Sequence, residues 1–239
     1  MITITMLFNN VAQDQHLLTG WGMACLIEGR DKTILFDTGS DGRILLSNMK
    51  KLEKEPSQVD AVVLSHAHGD HTGGLGALLG ENGDMELYVP QSFPEQFKTQ
   101  AVKLGLRLTT VHDSVGIADG VYSTGEAGVG IKEQALLVQT LDGLVVITGC
   151  AHPGIVEMVT KAKQTCSDEV YLVLGGFHLV GHTQHEVEAV MNELRALGVK
   201  KIAPSHCTGD GPMRIFHETW QEDFIFFGCG ATISLDPPG

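Results

Sequence analysis

A cluster of metal-ligand side chains at the end of an apolar run limits the folds open to this sequence. The segment DAVVLS, residues 60–65, has the length and apolar character of a buried strand, and HAHGDHTGG, residues 66–74, follows it directly. A lone histidine is usually a hydrogen-bonded residue of the core or surface. Four histidine or aspartate residues within the six positions 66–71 instead predict a metal site. A strand that ends in such a site needs neighbouring strands whose ends supply further ligands.

The spacing within the cluster divides its ligands between two ions. His66 and His68 are two residues apart where the strand ends, so period-two geometry points both imidazoles to one side. Gly69 permits a sharp turn, after which Asp70 and His71 can face a second ion beside the first. Imidazole and carboxylate ligands suit Zn²⁺, Fe or Mn²⁺ better than Ca²⁺ or Mg²⁺. We therefore expect two divalent metal ions, with zinc as the first choice.

The rest of the chain alternates between β-like and helical segments. Before the cluster, three short strands are predicted at 2–10, 21–29 and 33–39, and then a helix from residue 42 that Pro56 ends. After the cluster, a helix is predicted to begin near Thr72. The next predicted elements are a strand at 85–90, a helix at 94–104, and strands at 107–112, 120–125, 134–140 and 143–149.

The last third of the chain returns to alternation and completes the prediction of the fold class. Residues 185–198 carry apolar side chains at helical spacing, which indicates a helix with one packed face. Two strand-rich blocks, each followed by helices, predict an α/β fold in which two sheets pack face to face with helices outside, a four-layer αββα sandwich. Because no repeat or linker divides the chain, residues 1–239 are expected to form a single domain.

Charge and hydropathy argue against several classes of partner. The formal net charge of −13 offers phosphate backbones and anionic membranes no broad cationic surface. No apolar run is long enough to cross a bilayer, and the first ten residues lack the pattern of a signal peptide. The five cysteines are never arranged as CxxC, which favours reduced thiols. We expect a cytoplasmic protein that acts on a small-molecule substrate and binds neither nucleic acid nor membrane.

These motifs resemble those of a known family. HxHxDH at a strand end in an αββα fold is the signature of the metallo-β-lactamase superfamily, which usually holds two metal ions, and ILFDTG at 34–39 also resembles that superfamily. The resemblance covers essentially the whole chain. TGCAHPG at 148–154, LGGFHL at 174–179 and SHCTG at 205–209 look like one subgroup of metal-dependent hydrolases. This subgroup carries the name 7,8-dihydropterin-6-methyl-4-(β-D-ribofuranosyl)-aminobenzene-5'-phosphate synthase-like and is methanopterin-related.

The resemblance implies a complete ligand set, in which two histidines from later strand ends join the cluster. The implied ligands are His66, His68 and His152 for the first ion, and Asp70, His71 and His206 for the second. Many members of the superfamily bridge the two ions with an aspartate where this sequence has Cys150. Period two places Cys150 and His152 on the same side, so either can bind metal.

Two further positions stay open at this stage. If Cys150 bridges the ions, the third ligand of the first ion would have to come from YSTGEAG, where Glu126 is the candidate. His178 ends another strand at the same edge and is expected to contact the substrate or to act as an extra ligand. Asp37 is expected to orient a metal-bound imidazole rather than to bind metal.

The remaining histidines and cysteines lack such settings. Cys207 directly follows His206, and we expect it to point away from the site along a strand. Three cysteines are expected to be small core or surface thiols: Cys25, Cys166 and Cys229. Five histidines are expected on the surface: His16, His112, His182, His185 and His217.

The predicted centre favours hydrolysis. Two adjacent cations can polarise a carbonyl or phosphoryl oxygen and lower the pKa of a water toward about 7. Asp70 is the candidate catalytic residue, because it can hold or relay the proton of that metal-activated water. We expect a metal-dependent hydrolase of a small ester, lactone or phosphoester. The alternatives are a pterin/ribofuranosyl-aminobenzene phosphate synthase-type transferase and a redox di-iron enzyme; His68, where the redox branch typically has Glu, disfavours the latter.

Overall fold

Two mixed β-sheets form the centre of the computed structural model, which describes residues 1–238. The strands are β1 (Ile2–Phe8), β2 (Ala24–Glu28), β3 (Ile34–Phe36), β4 (Ala61–Val63), β5 (Glu86–Pro90), β6 (Arg107–Val111), β7 (Val115–Ala118), β8 (Val121–Ser123), β9 (Leu136–Thr140), β10 (Gly143–Thr148), β11 (Val170–Gly176), β12 (Lys201–Ser205) and β13 (Thr232–Leu235). The first sheet has the order β13-β1-β2-β3-β4-β5-β6, and the second has the order β12-β11-β10-β9-β8-β7.

Helices cover the outer face of each sheet. They are α1 (Gly42–Lys51), α2 (Gly69–Thr72), α3 (Leu75–Glu81), α4 (Glu95–Lys103), α5 (Ile155–Cys166), α6 (Gln184–Ala196) and α7 (Asp210–Trp220). One apolar cluster joins the first sheet to α1, α3 and α4, and another joins the second sheet to α5, α6 and α7. A third cluster lies between the sheets. The predicted αββα sandwich is confirmed.

Strand β10 shows why this sequence forms four layers. Its residues Val145 and Ile147 belong to the cluster between the sheets, whereas Leu144 and Val146 belong to the cluster under the helices. Successive side chains of a strand point to opposite faces, so a strand buried on both sides is apolar throughout. The continuous run GLVVIT therefore specifies a central strand.

Helix α1 ends earlier than the sequence predicts. It ends at Lys51 rather than at Pro56, because Glu53 adopts φ 55° and the backbone N–H of Lys54 donates to the carbonyl of Met49 at 2.8 Å. This left-handed residue and six-to-one hydrogen bond form a Schellman cap, which closes the last turn without glycine.

The helix predicted near Thr72 is divided into α2 and α3. Between them, Gly73 and Gly74 pack against the loop that follows β3. A Cβ on Gly73 would lie 2.4 Å from the carbonyl oxygen of Ser40, and one on Gly74 would lie 2.1 Å from that of Thr38. This close backbone contact fixes the HxHxDH segment against the FDTG segment.

Strand β7 was not predicted from the sequence. It is a short edge strand paired with β8, and within it only Ile117 is buried. Because most of its side chains are partly exposed, its apolar pattern is too weak to distinguish it from a loop.

The carboxyl ends of parallel strands from both sheets point to one edge. Strands β3 to β6 are parallel in the first sheet, and β10 to β12 are parallel in the second. The segments that leave β4, β10, β11 and β12 carry the candidate site residues. No helix within residues 1–238 has both the length and the apolar character that crossing a bilayer requires.

Candidate metal centre

Side chains from three strand ends meet in two adjacent groups. The first group is His66, His68 and His152, and the second group is Asp70, His71, Cys150 and His206. Within each group the candidate ligand atoms all lie within 4.8 Å of one another. The groups touch, because the ring centroids of His66 and His71 are 4.2 Å apart. The structure thus brings together the six residues predicted as ligands and adds Cys150 to the second group.

The side chains of these groups fit metal cations. Among residues 1–238, Nε2 of His66 and Nε2 of His206 are buried and make no hydrogen bond, a state that is costly for a polar atom. His206 Nε2 lies 3.2 Å from Asp70 Oδ2, close to the ~3.3 Å that separates two ligands of one tetrahedral ion. Burial lowers the pKa of His66 to about 2, which keeps its ring neutral, as a metal ligand must be.

Asp70 lies at the border between the second group and solvent. Its carboxylate oxygen Oδ2 is 3.2 Å from His206 Nε2 and 3.5 Å from His71 Nε2, and the side chain is 19% exposed. Burial raises its pKa, but His206 and His71 outweigh that effect, and the pKa of Asp70 lies below its usual range. Asp70 is therefore an anion that solvent can reach.

Asp37 orients one histidine of the second group. Its carboxylate accepts hydrogen bonds from the backbone N–H of Ser65 at 2.7 Å and from the Ser65 hydroxyl at 2.7 Å. Its Oδ2 lies 2.6 Å from His71 Nδ1, which directs His71 Nε2 toward Cys150 Sγ at 3.2 Å. The expected contact between Asp37 and an imidazole of the cluster is present, and it fixes which nitrogen faces the centre.

Glu133 holds the loop that carries Cys150 and His152, a role that no sequence motif indicates. The buried carboxylate accepts hydrogen bonds from the backbone N–H groups of Ala151 at 2.8 Å, His152 at 3.0 Å and Cys150 at 3.4 Å. It also contacts His152 Nδ1 and lies 3.6 Å from His66 Nδ1. Burial raises its pKa, but the contacts with His152 and His66 lower it overall to about 2. These partners are 17 or more residues away along the chain, so no local pattern indicates them.

Cys150 belongs to the second group and His152 to the first, but their ligand atoms also lie within 4.8 Å of one another in a third candidate group with His178, so the expectation that they share a side holds. Ala151, between them, has φ 58°, so the chain is no longer a strand at this point. His152 completes the first group and Cys150 joins the second. Glu126 is not needed as a ligand and lies outside both groups, where its carboxylate contacts Ser92 and Lys132.

Cys207 lies beside the centre, so the expectation that it points away is wrong. His206 has φ 51° and begins a 3-10 turn, His206–Thr208, which removes the alternation of β12. The buried Cys207 Sγ lies 3.6 Å from the carbonyl oxygen of Cys150.

His178 is an exposed neighbour of the first group. Its ring centroid lies 4.3 Å from that of His152, and its candidate ligand atom is within 4.8 Å of those of Cys150 and His152. All five histidines expected on the surface are exposed: His16, His112, His182, His185 and His217. As expected, Cys25 and Cys229 are core thiols, and Cys166 is half-buried.

Comparisons with known proteins agree with this geometry. The family described as the metallo-beta-lactamase superfamily matches residues 22–221. A protein of Methanocaldococcus jannaschii named 7,8-dihydropterin-6-methyl-4-(beta-D-ribofuranosyl)-aminobenzene-5'-phosphate synthase is 32% identical over 95% of this chain and 92% of its own.

Two solved structures share the fold. A metal-dependent hydrolase of the beta-lactamase superfamily has a TM-score of 0.83 at 24% identity, with 99% of this chain and 100% of that chain covered. The metallo-beta-lactamase fold protein YhfI from Bacillus subtilis has a TM-score of 0.69 at 15% identity, with 98% and 100% covered. With the family match over most of the chain and the full-length relative, these findings show that the chain belongs to the metallo-β-lactamase superfamily.

Proposed function

We propose that this protein is a metal-dependent hydrolase of a small phosphoester, ester or lactone. The observation that supports it is the contact between two groups of ligand-type side chains at one sheet edge. Each group would hold one divalent cation, zinc being the first choice because imidazole and thiolate ligands suit it. When bound, two such cations supply Lewis-acid polarisation of a substrate oxygen and an acidified water.

The residues of the chain supply orientation and proton transfer. Asp37 and Glu133 fix His71 and His152 with one ring nitrogen turned toward the centre. The Asp70 carboxylate, which solvent can reach, is placed to accept a proton from the attacking water. His178, exposed beside His152, would contact the substrate from the open side.

A synthase-type transfer is the second candidate. It is favoured by the full-length similarity to the relative from Methanocaldococcus jannaschii, whose name is that of a synthase of a pterin-linked ribofuranosyl-aminobenzene phosphate. Such an enzyme would use the same residues and the same cations to activate a phosphate or pyrophosphate. A redox di-iron enzyme is disfavoured, because His68 stands in the first group.

Metal content and turnover together test the proposal. Protein purified without chelator should contain close to two transition-metal ions per chain and should hydrolyse at least one member of a panel of phosphomonoesters, phosphodiesters, thioesters and lactones. His66→Ala and His71→Ala, one from each group, should lower the metal content and abolish turnover with an unchanged circular dichroism spectrum. His185→Ala, at an exposed position of α6, is the matched control.

Three results would contradict the proposal. Full metal stoichiometry in both His66→Ala and His71→Ala would show that the two groups are not the metal sites. Iron with a visible absorption band would favour redox chemistry. Metal-loaded protein that hydrolyses nothing but forms the pterin-linked ribofuranosyl-aminobenzene phosphate in the relative's name would establish the synthase.

A further inference from the structure

Trp21 presents an aromatic face beside the second group. Its side chain is 57% exposed, although large aromatic rings are mostly buried in folded proteins. The indole centroid lies 5.0 Å from that of His206, with the ring planes inclined by 57°. A second exposed apolar side chain, Val180, lies near Gly209, which directly follows the His206–Thr208 turn: a Cβ placed on Gly209 would be 2.8 Å from Val180 Cγ2. Apolar surface therefore borders the candidate centre.

The backbone around Trp21 is held in place. The N–H of Gly22 donates to Asn10 Oδ1 at 3.2 Å, and Asn10 Nδ2 donates to the carbonyl oxygen of His206 at 3.0 Å. A Cβ on Gly22 would lie 2.3 Å from the carbonyl oxygen of Asp70, so this loop packs directly on the ligand segment. A ligand that covers the indole would not have to order the loop first.

The second tryptophan of the chain shows how this fold covers an indole when the role is structural. Trp220 is 6% exposed and packs beside Phe216. The guanidinium of Arg195 lies over its indole, with Cζ 4.8 Å from the ring centroid. Trp21, by contrast, stays 57% exposed within residues 1–238. Large exposed apolar surface at the border of a polar site marks a contact surface for a ligand.

We propose that Trp21 is the recognition surface for a planar aromatic ring of the substrate, whose polar or anionic part faces the two groups. The placement of the polar or anionic part at the two groups rests on the proposed function, whereas the binding of the aromatic ring to Trp21 does not. Offset or tilted pairing of two aromatic rings adds affinity beyond that of apolar area alone. An aromatic ligand should therefore bind about 2- to 12-fold more tightly than a saturated ligand of the same charge and size.

Phenyl phosphate and cyclohexyl phosphate are suitable probes, because they carry the same phosphate group on a six-carbon ring that is planar and aromatic in one and saturated in the other. Their affinities for protein with its native metal content would be measured by calorimetry, with inorganic phosphate as a probe of the two groups alone. Trp21→Ala should remove the preference for phenyl phosphate and leave the affinity for inorganic phosphate unchanged. Trp21→Phe, which keeps an aromatic ring at this position, should retain most of the preference. If Trp21→Ala lost the preference only because the loop was disrupted, an aromatic ring at position 21 would not be specifically required.

Fluorescence gives a readout that is independent of turnover. Phenyl phosphate should change the tryptophan emission of the wild-type protein and of Trp220→Phe, in which Trp21 remains, but not that of Trp21→Phe. Three outcomes would overturn the inference. The wild type could bind the two probes with equal affinity, or it could fail to bind phenyl phosphate. Trp21→Ala could also change only the oligomeric state, as measured by sedimentation. A Trp21-dependent preference without hydrolysis of any substrate would leave the inference standing and refute the hydrolase.

Discussion

Replacing Glu133 by Gln should weaken both the metal centre and the fold, although the two side chains have nearly the same shape. Glu133 Oε1 accepts from the backbone N–H of His152 and contacts its Nδ1, and Oε2 accepts from the N–H groups of Ala151 and Cys150. The amide nitrogen of glutamine cannot accept a hydrogen bond, so two buried donors lose their partner whichever way the amide is turned.

The size of the effect follows from those contacts. A buried donor without a partner costs about 1–3 kcal/mol, so two of them should lower the free energy of unfolding of Glu133→Gln by about 3 kcal/mol. The ring of His152 also loses the carboxylate that sets its tautomer, which should weaken cation binding about 10- to 100-fold.

Two measurements check this result. Urea denaturation of chelator-treated protein gives the free energy of unfolding, and competition with a chromophoric chelator at neutral pH gives the metal affinity. Glu193→Gln, an exposed position on α6, should change neither quantity. If Glu133→Gln binds metal and unfolds like the wild type, Glu133 does not hold the loop, and the role given to its four contacts is wrong.

Two further changes test the packing and the charge of the centre. A Cβ on Gly176 would lie 2.3 Å from the carbonyl oxygen of Gly149 and 2.6 Å from Cys207 Sγ. Gly176→Ala should therefore cost about 1–3 kcal/mol in urea denaturation, whereas Gly80→Ala, with open space around its Cβ, should not destabilise; equal stability of the two variants would contradict this. Because burial lowers the pKa of His66 to about 2, the unfolded chain binds the extra proton below pH 6.5. This residue's share of the stability of metal-free protein is complete above pH 6.5 and falls as the pH drops toward 2, by up to about 1.4 kcal/mol per pH unit. The difference in free energy of unfolding between wild type and His66→Gln separates the contribution of His66 from that of His71, whose raised pKa gives a pH dependence of the opposite sign. A difference that stays constant from pH 5 to 7 would refute this prediction.

The parts of this protein that follow from local pattern were predictable. The apolar runs of β4 and β10 have the length of buried strands, and the HxHxDH segment indicates metal binding within six residues. Helix α6 likewise follows from its periodicity, and its capping box, Thr183 with Glu186, fixes where it begins. Each of these signals lies within one short window of the sequence.

The parts that depend on left-handed residues or distant partners were not predictable. Ala151 and His206 adopt φ near 50–60°, which ends strand alternation at both positions and, after His206, places Cys207 beside the centre. An alanine or a histidine in the sequence does not predict a left-handed backbone conformation, since glycine is the residue that usually adopts it. Glu133 is equally hidden, because its significance lies in contacts with a loop 17–19 residues away.

The charge of the interior supports the proposal that this edge of the fold holds two divalent cations. Asp37 and Glu133 are buried carboxylates, Asp70 is largely buried, and Cys150 is a buried thiol. Without a cation, the neighbouring Cys207 and burial raise the pKa of Cys150, so it holds its proton; a coordinating cation would release it. The four groups would then carry four negative charges, the number that balances two divalent cations, while the histidines bind as neutral rings. Because buried negative charges need compensation, this balance favours the proposed pair of cations.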